Sequence, residues 1–547
     1  MLSTMQDGPL SLANLLRYAA SVHADATVTT WTGATARRRT FGELGTRAAQ
    51  LAHALRELGV GTSDRVATFM WNNTEHMEVY AAVPAMGAVL HALNIRLSPE
   101  QIVFTANHAE DRVVFVDGTL TSAFEEVLPR LRTVRHVIVV NGDAAGFRAP
   151  RGVEVHDYEP LLAARPGAYD FPVLDERSAA AMCYTSGTTG DPKGVVYSHR
   201  SLFLHAMHVT TPAAMGLTTG DTCLAIVPMF HINSWSLPFA SMLSGASLLM
   251  PDRFLQPEPL LAMMEAERPT SAAAVPTIWT GLAARLAAHP QDISHLREVV
   301  VGGSAMPVTL MKTFEEQHRV KVVHGWGMTE TSSVGTVAHP PARATGEDVW
   351  RYRMSQGRFA PLVQFRLKDD DGALVPHDGK SLGELEVRGP WITGSYYSPG
   401  DEPVEAGSFD DGWLRTGDVG RISPDGYLTL VDRAKDVIKS GGEWISSIDM
   451  ENDVMAHPAV AEAAVFGVPD ERWDERPCVA VVLRDGEADS VDAAVLREHL
   501  AGNWAKWQLP ERWAFVAEIP KTSVGKFDKK VLRRQYAERR LAFVRLG

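Results

Sequence analysis

Short apolar runs rich in β-branched residues recur along the first 350 or so residues, with stretches of helical periodicity before and between them. Residues 113–117 read VVFVD, 137–140 VIVV, 224–228 LAIVP, 271–276 SAAAVP and 297–302 REVVVG. Runs of this kind, bounded by turn formers, suit strands buried on both faces. Within residues 46–58, Leu51, Leu55 and Leu58 fall at i, i+4 and i+7, one face of a helix, and residues 259–267 have the same character. Strands alternating with helices predict α/β layers built on largely parallel sheets.

After about residue 355 the texture changes. GELEVRG, WLRTGDVGRIS and DGYLTLVD are short alternating segments joined by turn residues such as Pro424-Asp425-Gly426, the pattern of an antiparallel β unit. Beyond Asp432 it changes again. Two β-like runs, 463–467 and 478–483, are flanked by helical patterns, and this last stretch is long enough for a small α+β domain. The predicted fold class is therefore α/β. A large N-terminal domain (1–431) of layered α/β subdomains plus a β unit precedes a small α+β C-terminal domain (432–547), with a hinge near Asp432 and Lys435. The basic stretch 529–540 reads as the solvated face of a terminal helix, with attraction of an incoming polyanion such as coenzyme A as the alternative.

Charge narrows the range of functions. The chain has 53 Lys+Arg against 66 Asp+Glu, a net charge of −13. That disfavours a general grip on nucleic acid or an anionic membrane, both of which reward basic surfaces. Cys183, Cys223 and Cys478 match no metal or redox spacing, and each borders an apolar run, so they are expected as small buried thiols in a reducing compartment. The N-terminus lacks the charged start and continuous apolar stretch of a signal peptide, and no run approaches the ~20 apolar residues of a membrane span. A cytoplasmic enzyme is expected, without stable membrane insertion.

The segment 184–194, YTSGTTGDPKG, carries the most chemistry. Its glycines let the backbone approach an anion, its hydroxyls and backbone N–H groups suit phosphate oxygens, and Lys193 adds positive charge. The spacing is not that of a P-loop, and composition alone also fits an ordinary surface loop. The full string TSGTTGDPKG resembles the phosphate loop of the adenylate-forming superfamily: acyl-CoA synthetases, nonribosomal peptide adenylation domains and firefly luciferase. Further motifs follow in that family's order: GGSAMP (302–307), GWGMTE (325–330), TGD (416–418), DRAKDVIKSGG (432–442) and PKTSVGK (520–526). The resemblance covers roughly residues 30–540. PMFHINSW (228–235), VVGGSAMP (300–307) and IKSGGEWISS (438–447) are most similar to the fatty-acyl-CoA synthetase branch and the methylthiopropionate-CoA ligases related to it.

The resemblance implies an enzyme that activates a carboxylic acid with ATP as an acyl-adenylate and passes the acyl group to coenzyme A. It assigns Thr185, Ser186, Gly187, Thr188, Thr189 and Lys193 to the phosphates, and Glu330 with Thr185 to Mg²⁺. Thr329 would face the α-phosphate and Trp326 would stack on adenine. Gly302, Gly303, Ser304 and Ala305 would wall the adenine and acyl pocket, with Gly325, Gly327 and Met328 beside them. Asp418 would accept from the ribose hydroxyls, assisted by Arg433. His231 would line the carboxylate end of the acyl site and Trp235 would gate the acyl tunnel. If that segment is helical, the two share a face.

Lys526 would bridge carboxylate and α-phosphate in the first step. Because the second step needs a path for a thiol, the small domain is expected to be mobile about Lys435. Gly441, Gly442 and Glu443 would then line the pantetheine channel. A homodimer is a further expectation of the branch. Two small departures stand out: Trp326 where Tyr is common, and Phe359 in QGRFAP where a small apolar residue is frequent. Other acceptors (a carrier thiol, an amine, oxygen) and a non-catalytic homologue are the competing readings. The retained Lys526, Glu330 and Asp418 oppose the last. The acid remains open between a medium- or long-chain fatty acid, a short thioether acid and a bulky natural-product acid.

Overall fold

A computed structural model describes the chain except for residues 2, 186–190, 305, 400–405, 435, 441–442, 485, 488–490, 522–526 and 547. Two large sheets enclose a helical layer. The first runs in the order Glu154–Asp157, His136–Val140, Val113–Asp117, Arg65–Phe69, Val89–Ala92, Ala179–Tyr184 and Gly194–Ser198, and every pair is parallel except the last. Val113–Asp117 is buried at every position, as a strand covered on both faces must be.

The second sheet begins with Ala36–Thr40 and Thr27–Trp31. It continues in parallel through Ser247–Met250, Thr222–Ala225, Ser271–Ala274, Glu298–Val301 and Lys321–Trp326. Of the expected run 224–228, only residues 224 and 225 are strand. The chain then turns away, with Asn72 Nδ2 donating to the carbonyls of Ala225 and Val227, both at 2.8 Å.

One core joins the two sheets, with Leu90 and Phe115 of the first and Cys223 and Leu248 of the second among its buried residues. Thr74–Ala85, one of the helices in that core, is buried all round. Helix Phe41–Glu57 starts at Thr40, whose hydroxyl accepts from Glu43 N while the Glu43 carboxylate accepts from Thr40 N, a capping box. Leu51 and Leu55 point into the core from it, as their spacing predicts.

The antiparallel unit is present, with strands Gly383–Arg388, Trp413–Ile422 and Tyr427–Arg433, but it is no separate layer. Lys321–Trp326 pairs in parallel with Glu298–Val301 through His324. From Gly325 it pairs antiparallel with Thr336–Val337, which leads through Gly357–Phe359 to Tyr427–Arg433. The two units are one continuous sheet.

The C-terminal part has its own sheet, centred on the antiparallel pair Val460–Asp470 and Asp474–Leu483, with helices Ser447–Met455, Ala493–Ala501 and Lys529–Ala537. The expected solvated basic helix needs correction at its first residue. Lys529 is largely buried and its Nζ lies 2.8 Å from Glu451 Oε1, whereas Lys530 and Arg534 are exposed. All three cysteines are buried free thiols.

Candidate active site

In open sheets of parallel strands, ligands bind beyond the carboxyl ends. The motifs sit there. TSGTTGDPKG follows Ala179–Tyr184, PMFHINSW follows Thr222–Ala225, GGSAMP follows Glu298–Val301 and GMTE follows Lys321–Trp326. A cavity of about 2010 Å³ opens among them and reaches the C-terminal domain. Thr185, Lys193, His231, Trp235, Gly302, Gly303, Ser304, Gly325, Trp326, Gly327, Met328, Thr329, Glu330, Asp418 and Arg433 all line it. Ser186, Gly187, Thr188, Thr189, Ala305, Lys435, Gly441, Gly442 and Lys526 lie outside the described residues. Of Glu443 only the backbone is described, at the start of strand Glu443–Ile445.

The base of the Ser/Thr/Gly segment is closed by Thr185 and Lys193. Thr185 N donates to Lys193 O at 2.9 Å, and Lys193 N donates to Thr185 Oγ1 at 3.0 Å. This extends the ladder of the two antiparallel strands that carry the segment. The Lys193 ammonium lies 4.8 Å from the centre of the Tyr396 ring and donates to Ser408 Oγ at 3.4 Å.

Gly327 turns where no side chain fits, since a β-carbon there would stand 1.7 Å from Ser333 O. That turn buries Thr329 and Glu330, and Tyr197 OH donates to Thr329 O at 2.8 Å. The Glu330 carboxyl is pushed above the usual carboxylate range by burial, an effect eased by Tyr396 OH, which donates to its Oε1 at 2.8 Å. A hard divalent cation fits here. The buried carboxylate has no cationic side chain in direct contact among the described residues, and the Thr185 hydroxyl lines the same cavity.

Asp418 accepts from Trp326 Nε1 at 2.8 Å on one oxygen, and its other oxygen lies 2.7 Å from Arg433 Nε. Asp418 in turn raises the Arg433 guanidinium above its ordinary value. Trp326 is packed on Gly335 and edge-on to Phe359, so the aromatic at 359 supports the aromatic at 326.

The expected helical face shared by His231 and Trp235 is not found. Residues 232–236 all have positive φ, between 50 and 62°, a left-handed turn built without glycine. Such a conformation costs roughly 1–2 kcal/mol per residue and persists only where its surroundings fix it. Here Tyr80 OH donates to Met229 O and Asn233 Oδ1, Ser234 Oγ to Val227 O, and His205 Nδ1 lies 2.9 Å from Ser236 Oγ. Both His231 and Trp235 still line the cavity, and the Trp235 indole lies against Gly302.

Residues 16–397 match the model of the AMP-binding enzyme family, and residues 449–526 that of the AMP-binding enzyme C-terminal domain. The chain belongs to the AMP-binding enzymes.

This AMP-binding enzyme is 44% identical over 540 residues to the long-chain-fatty-acid–CoA ligase of Thermus thermophilus, covering 98% of this chain and 97% of that one. It is 40% identical over 545 residues to the 3-methylmercaptopropionyl-CoA ligase of Ruegeria pomeroyi, covering 98% and 99%. Among solved structures, ATP-bound MatB from Rhodopseudomonas palustris superposes with a TM-score of 0.81 at 25% identity, covering 96% of this chain and 99% of that one. The adenylate-forming fold and the ATP-dependent acid–CoA ligase activity expected from the motifs are borne out by these full-length relatives.

Tyr396 and the ion cluster at the start of the C-terminal domain were not legible beforehand. Tyr396 links Glu330 to Lys193, and its one signal was an adjacent tyrosine pair in a Gly/Ser-rich stretch. At the domain junction, Lys529 and Glu451 pair beside Asp432, whose Oδ2 accepts from Ser447 N, and Arg533 Nη1 lies 2.6 Å from Asp436. All of these except Ser447 line the cavity.

Proposed function

We propose that the enzyme joins a medium- or long-chain apolar carboxylic acid to coenzyme A in two steps at this cavity. The acid's carboxylate attacks the α-phosphorus of ATP and pyrophosphate leaves. The thiol sulfur of coenzyme A then attacks the acyl carbonyl and AMP leaves. The observation that carries the reading is the convergence of Thr185 and Lys193, Thr329 and Glu330, Asp418 and Arg433, and His231 and Trp235 on one space. Two anions must meet there, so charge neutralisation and alignment are the main demands.

In this reading Lys193 and the 185–190 segment hold the β- and γ-phosphates and Trp326 flanks adenine. Asp418, already oriented by Trp326 and Arg433, takes the ribose hydroxyls. Glu330 and Thr185 would hold Mg²⁺, which supplies neutralisation of phosphate charge. His231 positions the carboxylate and Lys526 bridges it to the α-phosphate. The small domain, from residue 432, turns about Lys435 between the steps. Gly441, Gly442 and Glu443 then border the thiol's path.

The wall supplied by helix Pro276–Ala288 favours an apolar acid, because its lining side includes Thr280, Gly281, Ala284 and Ala287 and no ionised group. A short thioether acid is the second reading, favoured by the full-length Ruegeria relative. The reading also includes a homodimer in the cytoplasm, the compartment that three free thiols fit.

The test is product analysis by mass spectrometry with ATP, Mg²⁺, coenzyme A and a pooled panel of acids, repeated with Lys526→Ala. Acyl-CoA and AMP from the native enzyme, with adenylation lost in the variant, support the reading and name the acid. AMP without acyl-CoA points to another acceptor, and no product across the panel overturns it.

A further inference from the structure

At the far edge of the first sheet, three ligand atoms converge outside the catalytic cavity. His136 opens the strand His136–Val140, and Glu154 and His156 lie on the edge strand Glu154–Asp157. The strands are parallel, with His136 opposite Glu154 and Ile138 opposite His156. Side chains alternate along a strand, so 136, 154 and 156 share one face. His136 Nδ1 lies 3.3 Å from His156 Nε2 and 3.5 Å from Glu154 Oε2, and His156 Nε2 lies 3.8 Å from the same oxygen.

We propose that His136, Glu154 and His156 form a binding site for a divalent transition-metal ion, Zn²⁺ being the best match. A triangle with edges of 3.3, 3.5 and 3.8 Å has a centre about 2 Å from each corner, the length of zinc–imidazole and zinc–carboxylate bonds. Two imidazoles and one carboxylate suit zinc, whereas magnesium and calcium prefer all-oxygen sites. The rings are inclined at 37° with centres 5.4 Å apart, so their facing nitrogens converge.

The frame exists without the ion, since main-chain pairing fixes the two strands. Glu154 is 70% exposed at the side chain and the histidines 14% and 22%, which leaves a fourth position open to water. A bound ion would tie the edge strand to its neighbour. None of the three residues lines the catalytic cavity, so the site is independent of acyl transfer.

The test uses the full-length protein, stripped with chelator and titrated calorimetrically with Zn²⁺ alone, with Co²⁺ as a spectroscopic stand-in. The native protein should bind one Zn²⁺ at this site, give the visible absorption of low-coordinate Co²⁺, and melt several degrees higher with excess Zn²⁺. His136→Ala and His156→Ala should each weaken binding at least about tenfold, or about 1.4 kcal/mol. Both should abolish the Co²⁺ band and the thermal shift. Glu154→Gln, at an exposed position that folding tolerates, should weaken Zn²⁺ several-fold, and His499→Ala on the C-terminal domain should change nothing. Native-like Zn²⁺ affinity in His156→Ala and Glu154→Gln, or no stoichiometric binding at all, would leave only an imidazole–imidazole hydrogen bond and overturn the proposal.

Discussion

The Trp235 indole rests on Gly302 so closely that a β-carbon at 302 would stand 3.0 Å from its Cη2 and 3.3 Å from Gly325 O. The carbonyl belongs to a paired strand and cannot retreat, so the indole must. Gly302→Ala should therefore act as overpacking confined to the acyl side, worth about 1–3 kcal/mol. The expected result is a fall of about tenfold or more in kcat/KM for the preferred acid, with KM for ATP nearly unchanged. Trp235→Phe in the same chain should recover part of the loss. Steady-state kinetics with acid and ATP varied separately would reveal an equal effect on both substrates, which this packing argument does not allow.

Trp326 acts on the nucleotide side through its indole nitrogen as well as its ring. Phenylalanine at 326 keeps an aromatic face but removes the donor to Asp418, a hydrogen bond to a charged group worth about 1.5–3 kcal/mol. Trp326→Phe should raise KM for ATP and the Kd for AMP by roughly tenfold or more, and leave selectivity among acids as it was. Calorimetric titration with AMP reads this directly, and native affinity in the variant would show that Arg433 alone orients Asp418.

Glu330 sets function against stability. Burial holds its carboxyl above the ordinary value, so the folded chain keeps that proton to higher pH than the unfolded chain does. The stabilisation from this group is complete below the ordinary carboxylate value and is lost as pH rises through the raised value. At neutral pH, without ligand, an ionised Glu330 is thus a cost. Glu330→Gln should melt a few degrees above the native protein at pH 7–8, with the gap closing towards pH 4, while turnover drops about a hundredfold or more. Melting curves across pH decide it. A lower melting temperature at neutral pH would mean that the carboxylate is stabilising.

The Lys529–Glu451 pair inside the C-terminal domain is stabilising at neutral pH, where an ionised Glu330 is not. Burial opposes the Lys529 charge, and Glu451 and Asp432 outweigh it, so the ammonium is raised above its ordinary value. Its contribution is whole below that ordinary value and fades only in strong alkali. Lys529→Met strands a buried Glu451, a loss of about 3–5 kcal/mol, smaller in acid where the carboxyl can take a proton. Adding Glu451→Gln should restore most of it. Hydrogen exchange across Ser447–Met455 would report the loosening, and no change there would remove the pair from the junction's stability.

Five strands of the two sheets, Val113–Asp117, His136–Val140, Thr222–Ala225, Ser271–Ala274 and Glu298–Val301, were legible as short apolar runs bounded by turn formers. The nucleotide motifs were legible as strings that resemble the family's, wherever they fall: GMTE lies just past the end of Lys321–Trp326, whereas TGD lies inside Trp413–Ile422. The left-handed turn at 232–236 was not legible, since INSWS contains no glycine and its conformation is imposed by Tyr80 and His205 from distant segments. Neither was the burial of Lys529, because a helix's local pattern does not reveal the carboxylate waiting on another helix. The fusion of the parallel and antiparallel units was equally hidden. Pairing between Gly325–Trp326 and Thr336–Val337 is a tertiary fact that no window of sequence contains.

That fusion makes Lys321–Trp326 a ruler for the whole centre. His324 Nε2 accepts from Met306 N within GGSAMP, while two residues on Trp326 reaches Asp418. Faces alternate along a strand, so a single residue gained or lost between 324 and 326 would reverse the phase of one unit against the other. The ribose side and the acyl side therefore keep time from the same short rod. Specificity is then free to vary in the side chains that face the cavity, such as those of helix Pro276–Ala288, while the rod's length stays fixed.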